Sequence, residues 1–271
     1  MQIQGKIAIV TGAASGIGRA VMEELVRREA ACVVAVDLSQ SVVELAQSIG
    51  KDSGSTRLYA FTGNVADDEF RRRVLNTVTA EMGTPTICVP AAGIARDRLA
   101  AKVDRETGLA QLYPVEDFKL VVEVNLIAPV YWALEMVGKI AEERWREGLG
   151  RWSPEEGIQG AVIFIGSVSS QGNPGQLAYA AAKAALEGVA STLMKEAMYH
   201  GVRCMVIHPG FTDTPMVHQL GEEFIKERIL PATQLHRLIK PEEIADAVCF
   251  MIENPAVSGE VWADAGWHPS V

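Results

Sequence analysis

Short apolar runs alternate with longer segments of helical periodicity along this chain of 271 residues. The first run, Lys6–Val10, precedes a glycine-rich turn, and apolar residues then recur at helical spacing over Ile17–Arg28. A second run at Ala31–Val36 completes the pattern of a βαβ unit. The alternation predicts further strands near Arg57–Phe61, Thr86–Val89, Ala161–Ile165, Arg203–Ile207 and Glu260–Ala263, and helices that begin near Asp67, Pro114, Leu177 and Pro241.

The run Ala161–Ile165 is apolar at every position, which is typical of a strand buried on both faces of a parallel sheet. We therefore predict an α/β fold, a doubly wound parallel sheet of Rossmann type flanked by helices on both faces, in a single domain over residues 1–271. Residues 96–113 and 146–158 interrupt the alternation of strands and helices and are interpreted as surface excursions. In the first of them, Asp104–Gly108 has the composition of a turn between short extended arms.

Composition narrows the functional classes. The hydrophobic content of 48% supports a full core, while a net charge of −9 without a Lys/Arg block argues against a nucleic-acid partner. No run reaches the ~20 apolar residues of a membrane span and the first residues are polar, so we expect no membrane partner and a cytoplasmic protein. Dispersed cysteines and histidines predict buried reduced thiols and no metal site, the cysteines being Cys32, Cys88, Cys204 and Cys249.

The glycine-rich turn between the first strand and the first helix contains Gly12, Gly16 and Gly18. Glycines there permit a tight turn and a close approach of backbone to a pyrophosphate, which the first N–H groups of the helix would bind. As a bare pattern this is weak evidence, because the same turn can simply connect a strand to a helix.

Asp37 closes the second predicted strand, where a carboxylate can accept hydrogen bonds from adenosine ribose hydroxyls and repel a 2′-phosphate. Neither Ser15 nor Leu38 supplies the positive charge that a 2′-phosphate needs, so NAD is favoured over NADP as the cofactor. The alternative interpretation is that Asp37 caps the loop or helix that begins before Ser39.

Tyr179 and Lys183 are four residues apart in a predicted helix, which places the phenol and the ammonium on one face. The ammonium is predicted to lower the pKa of the phenol, as a proton donor or acceptor for a carbonyl group requires. Ser167 ends an apolar strand twelve residues before Tyr179 and could bring a hydroxyl beside it. Ser169 is the alternative candidate for the serine that contacts the substrate.

With these motifs in order, the chain resembles the short-chain dehydrogenase/reductase family of single-domain type over nearly its whole length. The likeness rests on Thr11–Gly18, Asn125, Ser167, the Tyr179/Lys183 pair and Pro209–Thr214. Within the family it is most similar to the branch of reductases that act on 3-oxoacyl groups carried by acyl-carrier protein or CoA, through Gly172–Gln176 and His208–Phe211 among other segments.

The resemblance implies four catalytic residues. Tyr179 would be the general acid in reduction and the base in oxidation, with Lys183 lowering its pKa and binding the nicotinamide ribose. Ser167 would donate a hydrogen bond to the substrate oxygen. Asn125 would hold a water that links Lys183 to solvent, although it could instead simply cap a helical turn.

The resemblance also implies a cofactor site in which Thr212 and Thr214 orient the nicotinamide carboxamide. Its expected residues are Gly12, Ser15, Gly16, Ile17, Gly18, Asp37, Asn64, Val65, Ala92, Gly93, Tyr179, Lys183, Pro209, Gly210, Thr212 and Thr214. The chain departs from the family pattern at Pro90, where an Asn usually stands, and at Asn64, where an Asp is usual. Both departures put cofactor affinity in doubt. Asp264-Ala265-Gly266 replaces Asp-Gly-Gly, for which we expect little consequence.

We therefore predict an NAD-dependent oxidoreductase that interconverts a secondary alcohol and a ketone, with a 3-hydroxyacyl or 3-oxoacyl thioester as the best substrate. Alternatives are a small cyclic or aromatic secondary alcohol, or a catalytically silent subunit of a hetero-oligomer. The resemblance further implies a homotetramer. Basic side chains near the pocket could meet CoA phosphates or be solvated loop charges; they are Arg96, Arg98, Lys102, Arg105, Lys226, Arg228, Arg237 and Lys240.

Overall fold

The computed structural model describes residues 1–51 and 53–267. Seven strands form one sheet in which every neighbouring pair is parallel, and two short strands form a separate hairpin. The strands are β1 (Ile7–Thr11), β2 (Cys32–Asp37), β3 (Arg57–Thr62), β4 (Ile87–Pro90), β5 (Ala101–Val103), β6 (Ala110–Leu112), β7 (Gly160–Ile165), β8 (Val202–Pro209) and β9 (Gly259–Ala263).

Helices connect the strands of the sheet. They are α1 (Gly16–Arg27), α2 (Ser41–Gly50), α3 (Asp68–Glu81), α4 (Val115–Val122), α5 (Ala128–Arg146), α6 (Leu177–Ala197), α7 (Pro215–His218), α8 (Glu222–Phe224) and α9 (Pro241–Glu253). A π-helical turn, Glu123–Ile127, joins α4 to α5. The start of α3 illustrates how sequence sets a boundary, because the Asp67 carboxylate accepts hydrogen bonds from the backbone of Glu69 and Phe70.

The strand order is β3-β2-β1-β4-β7-β8-β9, so the order reverses direction between β1 and β4. Side chains of α1, α2 and α9 pack on one face of the sheet, and those of α3, α5 and α6 pack on the other. This confirms the predicted doubly wound Rossmann-type fold. The carboxyl ends of β1 and β4 diverge at the reversal and leave a crevice, which is the usual ligand position in such sheets.

Most predicted strands agree with the observed ones within one residue at each end. The main difference is β8, which continues past Ile207 through His208 and Pro209 because these residues still pair with β9. Helix α2 was missed by the sequence prediction. In the first excursion, β5 and β6 form the expected hairpin, and the Asp104 carboxylate accepts hydrogen bonds from Glu106 and Thr107 in its turn.

The helical segment Val115–Arg146 is long and apolar enough to cross a membrane by length and composition alone. The sequence prediction found no such span because polar residues such as Lys119 and Asn125 interrupt the apolar run. In the fold, Trp132 and Met136 are fully buried against the sheet. The segment is therefore consistent with a core helix of a soluble protein.

All four cysteines are buried free thiols, as the sequence predicted. Burial raises the pKa of Cys32 to about 11 and the pKa of Cys204 and Cys249 to about 12. Burial also raises the pKa of Cys88, to which the neighbouring Cys204 adds. Three of them pack under α3, α5 and α6, whereas Cys249 lies in the core on the opposite face of the sheet.

Candidate active site

A cavity of about 380 Å³ opens at the carboxyl ends of β1, β2 and β4. It brings together thirteen of the sixteen residues predicted for the cofactor, namely Gly12, Ser15, Gly16, Ile17, Gly18, Asp37, Asn64, Val65, Ala92, Gly93, Tyr179, Lys183 and Thr214. The lining also includes residues outside the predicted set, namely Leu38, Gly63, Ala91, Ile94, Val124, Ile165, Pro215 and Met216.

The glycine turn is closely packed. A Cβ atom on Gly12 would lie 2.7 Å from the backbone nitrogen of Ala92, and one on Gly18 would lie 2.2 Å from the carbonyl oxygen of Gly12. Gly12 also has a φ of 68°, which side-chain-bearing residues rarely adopt. Among the described residues no side chain caps the start of α1 at Ser15, so its first N–H groups can bind an anion.

Asp37 lines the cavity at the end of β2. One carboxylate oxygen accepts a hydrogen bond of 3.0 Å from the Ala14 backbone, and the other accepts one of 2.8 Å from the Ser39 backbone. Each carboxylate oxygen has a second lone pair. The group can therefore brace the glycine turn, as the capping interpretation suggested, and still accept hydrogen bonds from a ribose.

Pro90 and Asn64, the two residues that put cofactor affinity in doubt, lie at the end of β4 and in the cavity lining, respectively. Pro90 is the last residue of β4, opposite Thr11 of β1, and β4 pairs with β7 only at Ile87 and Cys88. Pro90, which has no N–H to donate, therefore lies past the paired residues of β4 and β7. The loop that follows is held by a hydrogen bond from the Ala92 backbone nitrogen to Thr11 Oγ1. Asn64 lines the cavity, and its side-chain oxygen accepts one hydrogen bond from the Ala66 backbone.

Asn125 is fully buried in the π-helical turn. Its side-chain nitrogen donates to the carbonyl oxygen of Ile94 over 2.8 Å, and its oxygen accepts from the Ile94 nitrogen over 2.9 Å. A Cβ atom on Gly93 would lie 2.8 Å from the same oxygen and 4.0 Å from Lys183 Nζ. Asn125 therefore fixes the loop after β4 beside Lys183, and it does not simply cap a helical turn.

Tyr179 and Lys183 lie on one face of α6, as their spacing predicted. Lys183 is buried, and its Nζ donates a 2.7 Å hydrogen bond to the carbonyl oxygen of Ile165. Burial raises the pKa of Tyr179 to about 12, with a smaller opposing effect of Ser167. Burial also lowers the pKa of Lys183 to about 8.

The predicted lowering of the Tyr179 pKa is therefore wrong for this structure. The charge of a nearby ammonium favours the phenolate, but burial of the hydroxyl disfavours it more strongly here. Lys183 Nζ lies 5.5 Å from the centroid of the phenol ring and points to the Ile165 carbonyl instead.

A second cavity of about 90 Å³ adjoins the first, and Tyr179 and Met216 line both. The other lining residues are Ala95, Asp97, Ser167, Val168, Ser169, Gln176, Gly210, Phe211, Val217 and Leu220. Ser167 and Tyr179 thus face one space beside the larger cavity. This space has the position expected of a substrate pocket.

The two candidate serines differ in their hydrogen bonds. Ser167 Oγ accepts a hydrogen bond from the Ser169 backbone, which leaves its own proton free to donate. The Ser169 hydroxyl instead donates to the side-chain oxygen of Gln176 over 2.7 Å, and Gln176 donates to Asp97 over 2.8 Å. Ser169 is thereby committed to a side-chain network, which favours Ser167 for the contact with the substrate.

The segment after β8 brings one of its two threonines to the cofactor cavity. Thr214 lines that cavity, whereas Thr212 is buried and donates its hydroxyl to the Gly210 carbonyl. Gly210 lines the second cavity, and Pro209 ends β8 outside both linings.

One departure at the carboxyl end has a structural effect that the sequence did not indicate. Ala265 adopts a φ of 57°, in the left-handed region that glycine tolerates and that costs a residue with a Cβ about 1 kcal/mol. The replacement of glycine by Ala265 therefore has a larger effect on backbone energy than the sequence led us to expect.

The basic side chains considered for CoA phosphates lie outside the lining of both cavities. Arg98 lies 3.6 Å from the Asp117 carboxylate, and Arg237 forms a close pair with Glu243. For these two residues the structure favours the interpretation as paired surface charges.

Comparison with known proteins adds independent evidence. A family model described as short chain dehydrogenase matches residues 6–224. The chain is 32% identical over 259 residues to the (3R)-3-hydroxyacyl-CoA dehydrogenase of Mus musculus, covering 93% of this chain and 90% of that protein. It is also 32% identical over 268 residues to a 3-oxoacyl-[acyl-carrier-protein] reductase of Thermotoga maritima, covering 96% of each.

Among solved structures, the fold is similar to one titled as a ribose-5-phosphate isomerase from Brucella melitensis 16M, with a TM-score of 0.77 and 27% sequence identity. That match covers 98% of this chain and 93% of the other.

Proposed function

Because the chain belongs to the short-chain dehydrogenase/reductase family and is thus an oxidoreductase with a nicotinamide cofactor, we propose that it uses NAD to interconvert a secondary alcohol and a ketone. The observation that carries this proposal is the position of Tyr179 between two adjoining cavities, with Lys183 on one side and Ser167 on the other. The larger cavity suits the cofactor and the smaller one suits the substrate.

The residues present fit a dinucleotide. Gly12, Gly16 and Gly18 leave backbone without side chains at and before the open start of α1, and Asp37 lines the same cavity beside this turn. When bound, the nicotinamide supplies or accepts the hydride. The protein has to hold the reacting carbon beside it and to move one proton.

Proton transfer falls to Tyr179. In reduction its hydroxyl, which the raised pKa keeps protonated, gives a proton to the carbonyl oxygen. In oxidation the same oxygen has to lose its proton before it can take one from the alcohol. Ser167 donates a hydrogen bond to the same substrate oxygen. Lys183 keeps two N–H groups beyond its bond to Ile165, which suit a ribose hydroxyl and a proton path, and Asn125 holds the adjoining loop.

The preference for NAD is proposed from Asp37. Asp37→Arg should raise the KM for NAD and lower the KM for NADP, because it removes the ribose acceptor and introduces a positive charge for a 2′-phosphate. We expect the ratio of kcat/KM values, NAD over NADP, to fall by at least about tenfold, or about 1.4 kcal/mol. Steady-state kinetics with both cofactors measures this ratio.

The matched control is Leu38→Ala, since Leu38 lines the same part of the cavity without carrying charge. It should leave the ratio unchanged. An unaltered ratio in Asp37→Arg would show that Asp37 only braces the glycine turn.

We propose a 3-hydroxyacyl or 3-oxoacyl thioester as the substrate. The mouse and Thermotoga maritima relatives are named for such compounds, and both match nearly the full length of this chain. Apolar side chains of Phe211, Val217 and Leu220 line the second cavity and suit an acyl chain.

Purified protein should oxidise a 3-hydroxyacyl-CoA with NAD more efficiently than small cyclic or aromatic secondary alcohols. Comparing kcat/KM across this panel tests the substrate class, with absorbance of the reduced cofactor as the readout. Equal or better activity on the compact alcohols would contradict the thioester proposal. Failure of every compound, together with weak unsaturable NADH binding, would instead indicate a silent subunit.

We propose that the chain is a single-domain cytoplasmic protein that assembles as a symmetric homotetramer through α5 and α6. Large apolar side chains on this surface are exposed, among them Tyr131 and Leu134 of α5 and Leu177 of α6. Light scattering at micromolar concentration should give four times the chain mass of 29.3 kDa.

Tyr131→Glu combined with Leu134→Glu should lower the mass of the assembly measured by light scattering, because like charges would face each other across a two-fold interface. A wild-type monomer, or a charged variant that stays tetrameric, would contradict this interface.

A further inference from the structure

Three side chains outside both cavities converge beside the Ser167 segment. His208 Nε2 lies 3.4 Å from a carboxylate oxygen of Glu260 and 3.8 Å from one of Glu187. The three atoms all lie within 4.8 Å of one another. The chain positions are far apart, so no ligand spacing in the sequence could have indicated this group.

The fold explains the convergence. Glu187 continues the four-residue spacing of Tyr179 and Lys183 along one side of α6. In the sheet, Val206 of β8 pairs with Glu260 of β9, and His208 is two residues further along β8, so His208 and Glu260 project from the same face. Helix α6 packs on β8 across that face.

The imidazole of His208 is completely buried and held in one orientation. The indole of Trp262 stacks on it at 4.2 Å between ring centroids. A Cβ atom on Gly166 would come within 2.6 Å of Nδ1, so the glycine makes room for the ring. Nδ1 lies 3.2 Å from the carbonyl oxygen of Ser167, 3.4 Å from the Ser167 backbone nitrogen and 3.5 Å from the Ser170 hydroxyl. The shortest of these contacts is satisfied when Nδ1 carries the proton, whereas the Ser167 N–H would donate to an unprotonated Nδ1.

In the tautomer that donates from Nδ1 to this carbonyl, His208 presents a lone pair at Nε2. That atom has no hydrogen-bond partner among the described residues. It faces two carboxylates, and a lone pair opposite anionic oxygens is unfavourable unless a proton or a metal cation lies between them. A histidine that donates its other ring N–H to a backbone carbonyl is the usual arrangement of a metal ligand.

We propose that Glu187, His208 and Glu260 bind a divalent transition-metal cation, with Zn²⁺ as the probe. Metal–ligand bonds of about 2.0–2.2 Å place tetrahedral ligand atoms roughly 3.4 Å apart, close to the 3.4 and 3.8 Å seen here. Two carboxylates balance the charge of the ion. Glu187 and Glu260 are partly exposed, which leaves room for water as the fourth ligand.

The ion would join α6 and the edge strand β9 to β8. Through the Nδ1 contact with Ser167 it would also tie down the start of the segment that forms the second cavity. Binding to the folded state alone should raise the melting temperature in proportion to metal occupancy. The imidazole ligand favours Zn²⁺ over Mg²⁺.

The test uses full-length, tag-free protein stripped with a chelator. Titration calorimetry with Zn²⁺ should show one ion per chain and a raised melting temperature. Glu187→Gln combined with Glu260→Gln should weaken Zn²⁺ binding by at least about tenfold, because each neutral amide removes a charged ligand while preserving shape. Glu196→Gln, an exposed change on the same helix, should bind like the wild type.

Three outcomes would overturn the proposal. The first is that the wild type binds no Zn²⁺ up to about 100 µM. The second is that the double Gln variant binds Zn²⁺ as tightly as the wild type. The third is that the zinc X-ray absorption spectrum shows sulfur ligands, which would place the ion on a cysteine. A melting temperature that rises equally with Mg²⁺ would also count against it. The double Gln variant keeps the buried His208, so it avoids unfolding caused by loss of the ring.

Discussion

Tyr179→Phe is expected to lower kcat by at least about 100-fold, because the phenyl ring has no hydroxyl with which to transfer the proton. The affinity for NADH should stay nearly unchanged, since the phenyl ring fills the same space between the two cavities. The first quantity is measured by steady-state kinetics. The second is measured by fluorescence titration with NADH.

The control is Tyr59→Phe, which removes a phenol hydroxyl from β3, away from both cavities. It should leave kcat within about twofold of the wild type, since half-buried Tyr59 lines neither cavity. A loss of less than about tenfold in Tyr179→Phe would reject the assignment of Tyr179 as the proton donor.

Gly18→Ala is expected to remove measurable cofactor binding and to destabilise the fold by about 1–3 kcal/mol, the usual cost of overpacking. The added Cβ would lie 2.2 Å from the Gly12 carbonyl oxygen, so α1 and the glycine turn would have to separate. The measurements are NADH titration and the free energy of unfolding in urea.

Gly50→Ala provides a matched glycine. Gly50 is the last residue of α2, and a Cβ there would meet only Leu58 at 3.9 Å, an ordinary contact. This change should be neutral or stabilising by up to about 1 kcal/mol, as expected for alanine in a helix. Cofactor binding by Gly18→Ala at the wild-type affinity would show that the turn does not approach the pyrophosphate.

Local patterns predicted the parts of this site that depend on spacing along one element. The four-residue spacing of Tyr179 and Lys183 predicts a common helix face, and the end of a strand predicts the position of Asp37. The repeated alternation of apolar runs and helical segments likewise predicted the parallel sheet, because a strand that is apolar at every position has to be covered on both faces.

Properties that depend on packing could not be predicted in this way. The pKa of Tyr179 follows from burial of its hydroxyl in the fold, which spacing along one helix does not indicate. Met216 reaches both cavities from the short helix α7, and nothing in its immediate sequence distinguishes it. The sequence did not indicate that His208 lies beside two carboxylates, because these come from α6 and β9 and only the folded sheet brings them together.

The positions of the cysteines make the thiols natural reporters of unfolding. Their raised pKa values leave almost no reactive thiolate at neutral pH, so an alkylating reagent should modify them only when the core opens. Cys249 reports on one helix layer, and Cys32, Cys88 and Cys204 report on the other. Alkylation followed by peptide mass spectrometry can therefore show which layer leaves the sheet first as denaturant is added, with no label introduced into the protein.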